Sequence, residues 1–94
     1  MTREIISFQE KTMSHEQFLF ILGTAIKKKN DFPNDELLLS FPRSSTKASS
    51  FFRKILRLAW DNQIGVMSEG LVILPDGGAR VTSFEDFQRI QDSY

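Results

Sequence analysis

The chain has 94 residues and a mass of 10.8 kDa, the size of a single domain with one hydrophobic core. Hydrophobic residues make up 40% and charged residues 26%, which excludes an intrinsically disordered chain and a fibrous repeat. Twelve basic and twelve acidic residues cancel, and this argues against binding of nucleic acid or membrane by bulk charge. Cysteine is absent, so disulfides, thiolate metal sites and cysteine nucleophiles are excluded.

The apolar residues indicate where in the cell the protein is located, and the charged residues are unevenly distributed along the chain. No apolar run reaches the roughly 18 residues of a membrane span, and the first residues lack a secretory apolar region. We therefore expect a cytoplasmic protein, or a nuclear one in a eukaryote, without membrane, metal or cofactor. Residues 27–57 carry eight basic and three acidic side chains, whereas residues 58–94 carry two and six. The centre of the chain is basic and its end is acidic.

The first clear element is a helix that follows Ser14. Ser14 and Gln17 have the spacing of a capping box, in which each satisfies a free backbone N–H of the other. The lysines at 27–29 suit the negative end of the helix dipole. The sequence thus predicts a helix over 15–29, with Gly23 as an interior cost that permits close packing. The apolar residues that repeat at helical spacing are Phe18, Leu22, Ala25 and Ile26.

Two shorter elements flank this helix. Residues 3–8 predict a short strand, although their alternation is imperfect. Asn34 can cap a short helix whose apolar side is formed by residues 37–39. Pro42 ends that helix, because proline has no N–H to donate and restricts the residue before it.

A third helix has the strongest pattern in the chain. The hydroxyl-rich residues 43–50 supply candidate N-caps, and Gly65 fits a left-handed residue after a helix that ends near Gln63. Its broad apolar face consists of Ala48, Phe52, Ile55, Leu56 and Ala59, widened by Phe51, Leu58 and Trp60. Its polar stripe consists of Ser50, Arg53, Lys54, Arg57 and Asp61, the last two at ion-pair spacing.

The remaining residues predict a hairpin and a terminal helix. Residues 71–74 are rich in strand formers, residues 75–78 supply turn chemistry, and residues 79–82 continue as a second strand. Ser83 starts a helix over 84–92 whose apolar residues are spaced to pack inward. We expect residues 1–94 to form one α+β domain, a small helical domain of three to four helices with a C-terminal β-hairpin.

The sequence lacks the parts of an enzyme. His15 is the only histidine and lies in the first turn of a predicted helix, where solvation explains it better than catalysis. The neighbouring carboxylates Glu85 and Asp86 are explained by the positive end of a helix dipole. The glycines at 77–78 lie in a hairpin turn and not between a strand and a helix, so they form no phosphate-binding loop. We expect binding without catalysis.

The order of helix, short helix, polar connection, long helix and hairpin resembles the winged helix-turn-helix superfamily over about residues 14–82. The resemblance implies a DNA-binding regulator of transcription, whose third helix enters the major groove and whose hairpin contacts the backbone. Asp76 at the hairpin tip departs from that pattern. The nucleic-acid-binding residues that the resemblance implies are Arg43, Ser45, Thr46, Lys47, Ser49, Ser50, Arg53, Lys54, Arg57 and Arg80.

A second hypothesis is a small protein–protein interaction module: an adaptor, an inhibitor or a homodimer that binds no nucleic acid. Nine phenylalanines in 94 residues are many for so small a core, so part of the apolar surface should stay exposed. The candidate interface residues lie at the C-terminal end, where packing against the hairpin is the simpler account of them. They are Phe84, Phe87, Ile90 and Tyr94. DNA, RNA, a protein partner and self-association all remain open at this point.

Overall fold

The computed structural model describes residues 3–8, 14–42, 50–68, 70–75 and 83–93, which form three helices and a four-stranded mixed sheet. The sheet has the strand order β1-β2-β3-β4; β1, β2 and β3 are parallel, and β4 is antiparallel to β3. The elements in chain order are β1 (Arg3–Ser7), α1 (His15–Asp31), β2 (Glu36–Ser40), α2 (Ser50–Asp61), β3 (Gly65–Ser68), β4 (Leu71–Ile73) and α3 (Phe84–Ser93). The predicted strand at 3–8 and the three longer predicted helices are confirmed.

The short helix predicted after Asn34 is wrong, because residues 36–40 form the central strand β2. Leu37, Leu38 and Leu39 are all buried, and neighbouring residues in a strand point to opposite faces. A helix of this length would bury only one side of that leucine run. A parallel strand that is covered on both faces reads as a continuous apolar run, which is the pattern seen here.

The predicted C-terminal hairpin is also wrong. Residues 71–73 do form a strand, but β4 pairs with β3, which precedes it, around a turn that contains Gly70 at φ 88°. The predicted second strand at 79–82 lies outside the described residues. The fold is α+β, as expected, but its strands begin at residue 3 and its first three strands are separated by helices. The expected helical domain with a hairpin at its C-terminal end is therefore corrected.

The end of α2 explains part of this error. The left-handed residue is Gln63, with φ 62°, and not Gly65 as predicted. Ile64 N–H donates to the Ala59 carbonyl at 2.8 Å, and Gln63 N–H donates to the Trp60 carbonyl at 3.1 Å. These two bonds form a Schellman motif that ends the helix at Asp61, two residues earlier than predicted. The earlier end frees Gly65 and the residues after it to form β3.

Both α1 and α2 cover one face of the sheet. A single row of side chains crosses that face in register, from Ile6 through Leu39 and Val66 to Ile73. This row belongs to the same apolar core as the buried sides of the two helices. The buried helix residues are Phe18, Leu22 and Ala25 of α1 and Phe52, Ile55, Leu56 and Ala59 of α2. Two parallel crossovers thus place their helices together, as the right-handed rule for such connections requires.

The opposite face of the sheet is centred on Leu38, which is fully buried beside Gly65. A Cβ on Gly65 would overlap Leu38 Cδ2 and would lie 2.8 Å from Leu74 Cδ2. The two leucine side chains therefore occupy the space that a side chain at 65 would need. Ile5, the neighbour of Leu38 in β1, is 46% exposed.

Helix α3 packs against the end of α2 through aromatic rings. The ring of Phe87 is fully buried and lies 5.2 Å from that of Trp60, and Phe84 lies 6.2 Å from Trp60. Gln91 is also fully buried, and its side-chain amide atoms have no hydrogen-bond partner within the described parts of the chain. A buried amide without partners costs free energy, so this junction is less stable than its aromatic packing alone would make it.

Candidate interaction surfaces

The described residues include neither a metal-binding cluster nor a membrane-spanning helix. They contain no group of three or more His, Asp or Glu side chains that could hold a metal ion, and none of their helices is long and apolar enough to cross a bilayer. His15 stacks on Phe51 with 3.8 Å between the ring centroids, which gives it a packing role between α1 and α2.

The predicted cationic stripe lies on the exposed side of α2, but only part of it is available for binding. Arg57 Nε lies 3.5 Å from Asp61 Oδ1, so the predicted ion pair is confirmed, and its guanidinium carbon lies 4.7 Å from the centroid of the Phe84 ring. Arg53 and Lys54 are exposed and have no ion pair among the described residues, and Ser50 is exposed at the start of the helix.

Six of the predicted nucleic-acid contacts lie outside the described residues. They are Arg43, Ser45, Thr46, Lys47, Ser49 and Arg80. The described part of the predicted surface thus brings together two cations without a compensating carboxylate, and no hairpin beside them of the kind that the sequence predicted.

The predicted protein interface in α3 is mostly used inside the molecule. Phe87 is fully buried, while Phe84 and Ile90 are half-buried against the core. Tyr94 lies outside the described residues. Phe84 and Phe87 pack against Trp60 at the end of α2 and not against a C-terminal hairpin as the sequence predicted. The described part of α3 therefore presents little apolar surface to a partner.

Helix α1 carries an exposed apolar surface that the sequence analysis missed. Phe20 is 75% exposed and Leu19 is 46% exposed, although the other side of the same helix fills the core. The sequence feature that indicates such a surface is the run of four successive apolar residues at 18–21. Residues in a helix advance by about 100° each, so four in succession cannot all face one core.

Gly23 lies on this same side of α1. A Cβ built on it would meet nothing within 4 Å, and its φ is not positive, so neither packing nor backbone geometry within the molecule requires glycine. Thr24 Oγ1 donates to the Phe20 carbonyl at 3.0 Å, which occupies the one hydroxyl beside the exposed ring. An interior glycine costs about 1 kcal/mol of helix stability relative to alanine, and no contact within the molecule offsets that cost here.

Two opposite charges bracket the exposed ring and the glycine. Glu16 lies one turn before Phe20, and Lys27 lies one turn after Gly23. Both are exposed, and neither has an ion pair within the described ranges. The two charged residues, Phe20, Gly23 and Leu19 all lie within an arc of about 100° around the axis of α1. We call Glu16, Leu19, Phe20, Gly23 and Lys27 the outward surface of α1.

A cleft of about 240 Å³ lies between α1 and the start of β2. Both of its lysines already have partners: Lys28 Nζ donates to Glu4 Oε1 at 2.6 Å, and Lys29 Nζ donates to the Asp35 backbone carbonyl at 2.8 Å. Amino groups that already donate to the protein give a ligand little to bind. These two hydrogen bonds connect α1 to β1 and to the residue before β2.

Comparison with known proteins adds no functional assignment. No protein-family model, curated protein or solved structure matches this chain.

Proposed function

We propose that this protein is a non-catalytic protein-interaction module that binds its partner through the outward surface of α1. The observation that carries the proposal is the 75% exposure of Phe20 beside the half-exposed Leu19 and the bare backbone of Gly23. Aromatic residues that become buried at the centre of an interface contribute much of its binding free energy. Burial of apolar area stabilises a complex by about 25 cal/mol per Å² removed from water.

The fold gives Phe20 no internal role. The buried side of α1 already packs through Phe18, Leu22 and Ala25, and Phe18 stacks on Phe8 with 4.8 Å between ring centroids. Scattered exposed apolar residues are ordinary on protein surfaces. Two of them beside an exposed glycine, with a charge at each end, form instead an apolar centre with a polar rim, which is the composition of an interface.

Nucleic-acid binding through α2 stays a prediction with less support. Arg53 and Lys54 are exposed, but Arg57 is shared with Asp61 and with the Phe84 ring. Affinity for nucleic acid grows with the number of phosphates that cations neutralise. Two uncompensated cations in the described part of α2, on a chain of zero net charge, support only weak binding.

The proposed function is tested by crosslinking in the cell that makes the protein. A photoreactive phenylalanine derivative placed at Phe20 should give one discrete adduct, because the ring is buried in the complex. The same derivative placed at the exposed Glu85 of α3 is the matched control and should give none. Replacement of Gly23 by leucine in the first chain should abolish the adduct by blocking close approach. Absence of an adduct from position 20, or equal adducts from both positions, would show that this surface binds no protein partner.

A further inference from the structure

We propose that the partner is a second copy of this chain, with the two α1 helices packed antiparallel around a two-fold axis. This assignment rests on the proposed function and names its partner. Closed two-fold dimers are the commonest assemblies of identical chains, and in such a dimer one surface must be complementary to itself. The outward surface of α1 meets that requirement in spacing, in shape and in charge.

The spacing of the surface is that of a helix–helix seam. Glu16, Phe20, Gly23 and Lys27 follow one another at intervals of four, three and four residues. Intervals that alternate between four and three keep side chains on the line along which two helices pack. Glu16 and Lys27 close the two ends of this line, and Phe20 and Gly23 form its middle.

The shapes match because the bulkiest residue of the seam faces its smallest. In an antiparallel pair around a two-fold axis, two positions face each other when they are equally far from the midpoint of the contact. With the midpoint between Phe20 and Gly23, each phenylalanine ring lies over Gly23 of the second copy. The space there is open, since a Cβ on Gly23 would touch nothing within 4 Å. Each copy supplies one ring and one gap.

The charges match in the same register. The midpoint between residues 20 and 23 is also the midpoint between residues 16 and 27, so Glu16 of each copy faces Lys27 of the other. A parallel arrangement would instead set Glu16 against Glu16 and Lys27 against Lys27. Like charges at such positions reject the parallel pair, and opposite charges select the antiparallel one. Zero net charge means that two copies do not repel each other at long range.

The contact is small, and this sets the expected affinity. Helix α1 has 17 residues, which corresponds to a length of about 26 Å. One helix packed on another buries less than the roughly 1,200 Å² of a standard stable interface, so the dimer belongs to the weak class. We expect a dissociation constant of about 10 to 100 µM.

Sedimentation equilibrium of the purified 94-residue chain tests the dimer. The expected result is a monomer–dimer equilibrium that Phe20→Ser shifts toward the monomer, with a dissociation constant raised by tenfold or more. Phe32→Ser is the matched control, because it removes a 61% exposed ring that lies after α1 and outside the seam. It should leave the dissociation constant within twofold of the original. A wild-type chain that is monomeric at about 1 mM, or equal effects of the two substitutions, would overturn the proposal.

Charge reversal tests the antiparallel register. Glu16→Lys and Lys27→Glu should each weaken self-association, because each places like charges at both ends of the seam. An equimolar mixture of the two variants should form a heterodimer at least as tight as the wild type, since opposite charges then face each other again. Circular dichroism of each variant checks that α1 stays folded. A mixture that associates no better than its components would show that Glu16 does not face Lys27.

The two proposals fail in different ways. An adduct from position 20 with twice the mass of the chain supports self-association, and an adduct of any other mass assigns the surface to a different protein. In the second case the proposed function stands and the second copy is excluded. If no adduct forms in the cell, both proposals fall.

Discussion

The outward sides of α1 and α2 differ in composition, although both helices bury apolar side chains in the same core. On α2 the exposed residues are mostly charged, with Leu58 as a 39% exposed exception. On α1 the exposed side carries Leu19, Phe20 and Gly23 between two charges. Burial in the core and contact with water account for the sequence of α2. They do not account for α1, and this is why we assign the binding surface to α1.

The comparison predicts that substitutions will divide into two classes. Changes on the buried side of either helix should lower the free energy of unfolding. Changes on the outward side of α1 should alter association and leave that free energy nearly constant. The following substitutions test this division, beginning with the largest expected effect on stability.

Phe52→Ala should have the largest effect. Phe52 is fully buried in α2, and its ring meets that of Phe41 edge to face at 5.0 Å. The loss of a buried phenylalanine ring costs about 3 to 5 kcal/mol, which is most of the stability of a domain of this size. Urea denaturation followed by circular dichroism measures the change. Phe52→Leu, which keeps most of the volume, should cost much less. A loss below about 1 kcal/mol for the alanine variant would contradict the packing of α2 on the sheet.

Gly65→Ala should destabilise the opposite face of the sheet by about 1 to 3 kcal/mol. The new methyl group would overlap Leu38, which is fully buried, and Leu74. Combining Gly65→Ala with Leu38→Ala should cost less than the sum of the single changes, because the second change makes room for the first. Strict additivity in urea denaturation would show that the two side chains do not compete for this space.

The sequence predicts well those elements whose signals are local. The capping box of α1 is present as expected: Gln17 N–H donates to Ser14 Oγ at 3.2 Å, and Ser14 N–H donates to Gln17 Oε1 at 2.8 Å. The buried sides of α1 and α2 match their helical periodicity. In each case the residues that decide the structure lie within one or two turns of each other.

The sequence predicts poorly those features that depend on distant residues. Whether residues 37–39 form a helix or a strand depends on β1 and β3, which flank them in the sheet and come from either side in the chain. The pairing partner of β4 could not be chosen from turn chemistry alone, because the turn that the sequence predicts at 75–78 carries stronger turn residues than the observed turn at Gly70. The exposure of Phe20 depends on which side of α1 the sheet covers. Helix periodicity alone cannot tell which of the four successive apolar residues at 18–21 face the core.

Gly23→Ala should stabilise the isolated chain by about 0.5 to 1 kcal/mol. The new methyl group meets nothing within 4 Å in the single molecule, and alanine loses less backbone entropy than glycine does when a helix forms. In the proposed dimer the same methyl group lies under the Phe20 ring of the second copy, so association should weaken. Thermal unfolding at low concentration and sedimentation at high concentration measure the two effects. A parallel rise in stability and in association would place Gly23 outside the contact.

Phe20→Ser should have the smallest effect on stability, within about 0.5 kcal/mol, because serine and phenylalanine have similar helix propensities and the ring is largely in water. Phe18→Ser, two residues earlier on the same helix, is the matched control. Phe18 is only 6% exposed and stacks on Phe8, so its loss should cost several kcal/mol, as for Phe52→Ala. Urea denaturation at low protein concentration, where the monomer dominates, keeps any dimer from contributing to the measured stability. A large loss of stability for Phe20→Ser under these conditions would mean that the ring supports the fold, and the distinction between the outward sides of α1 and α2 would disappear.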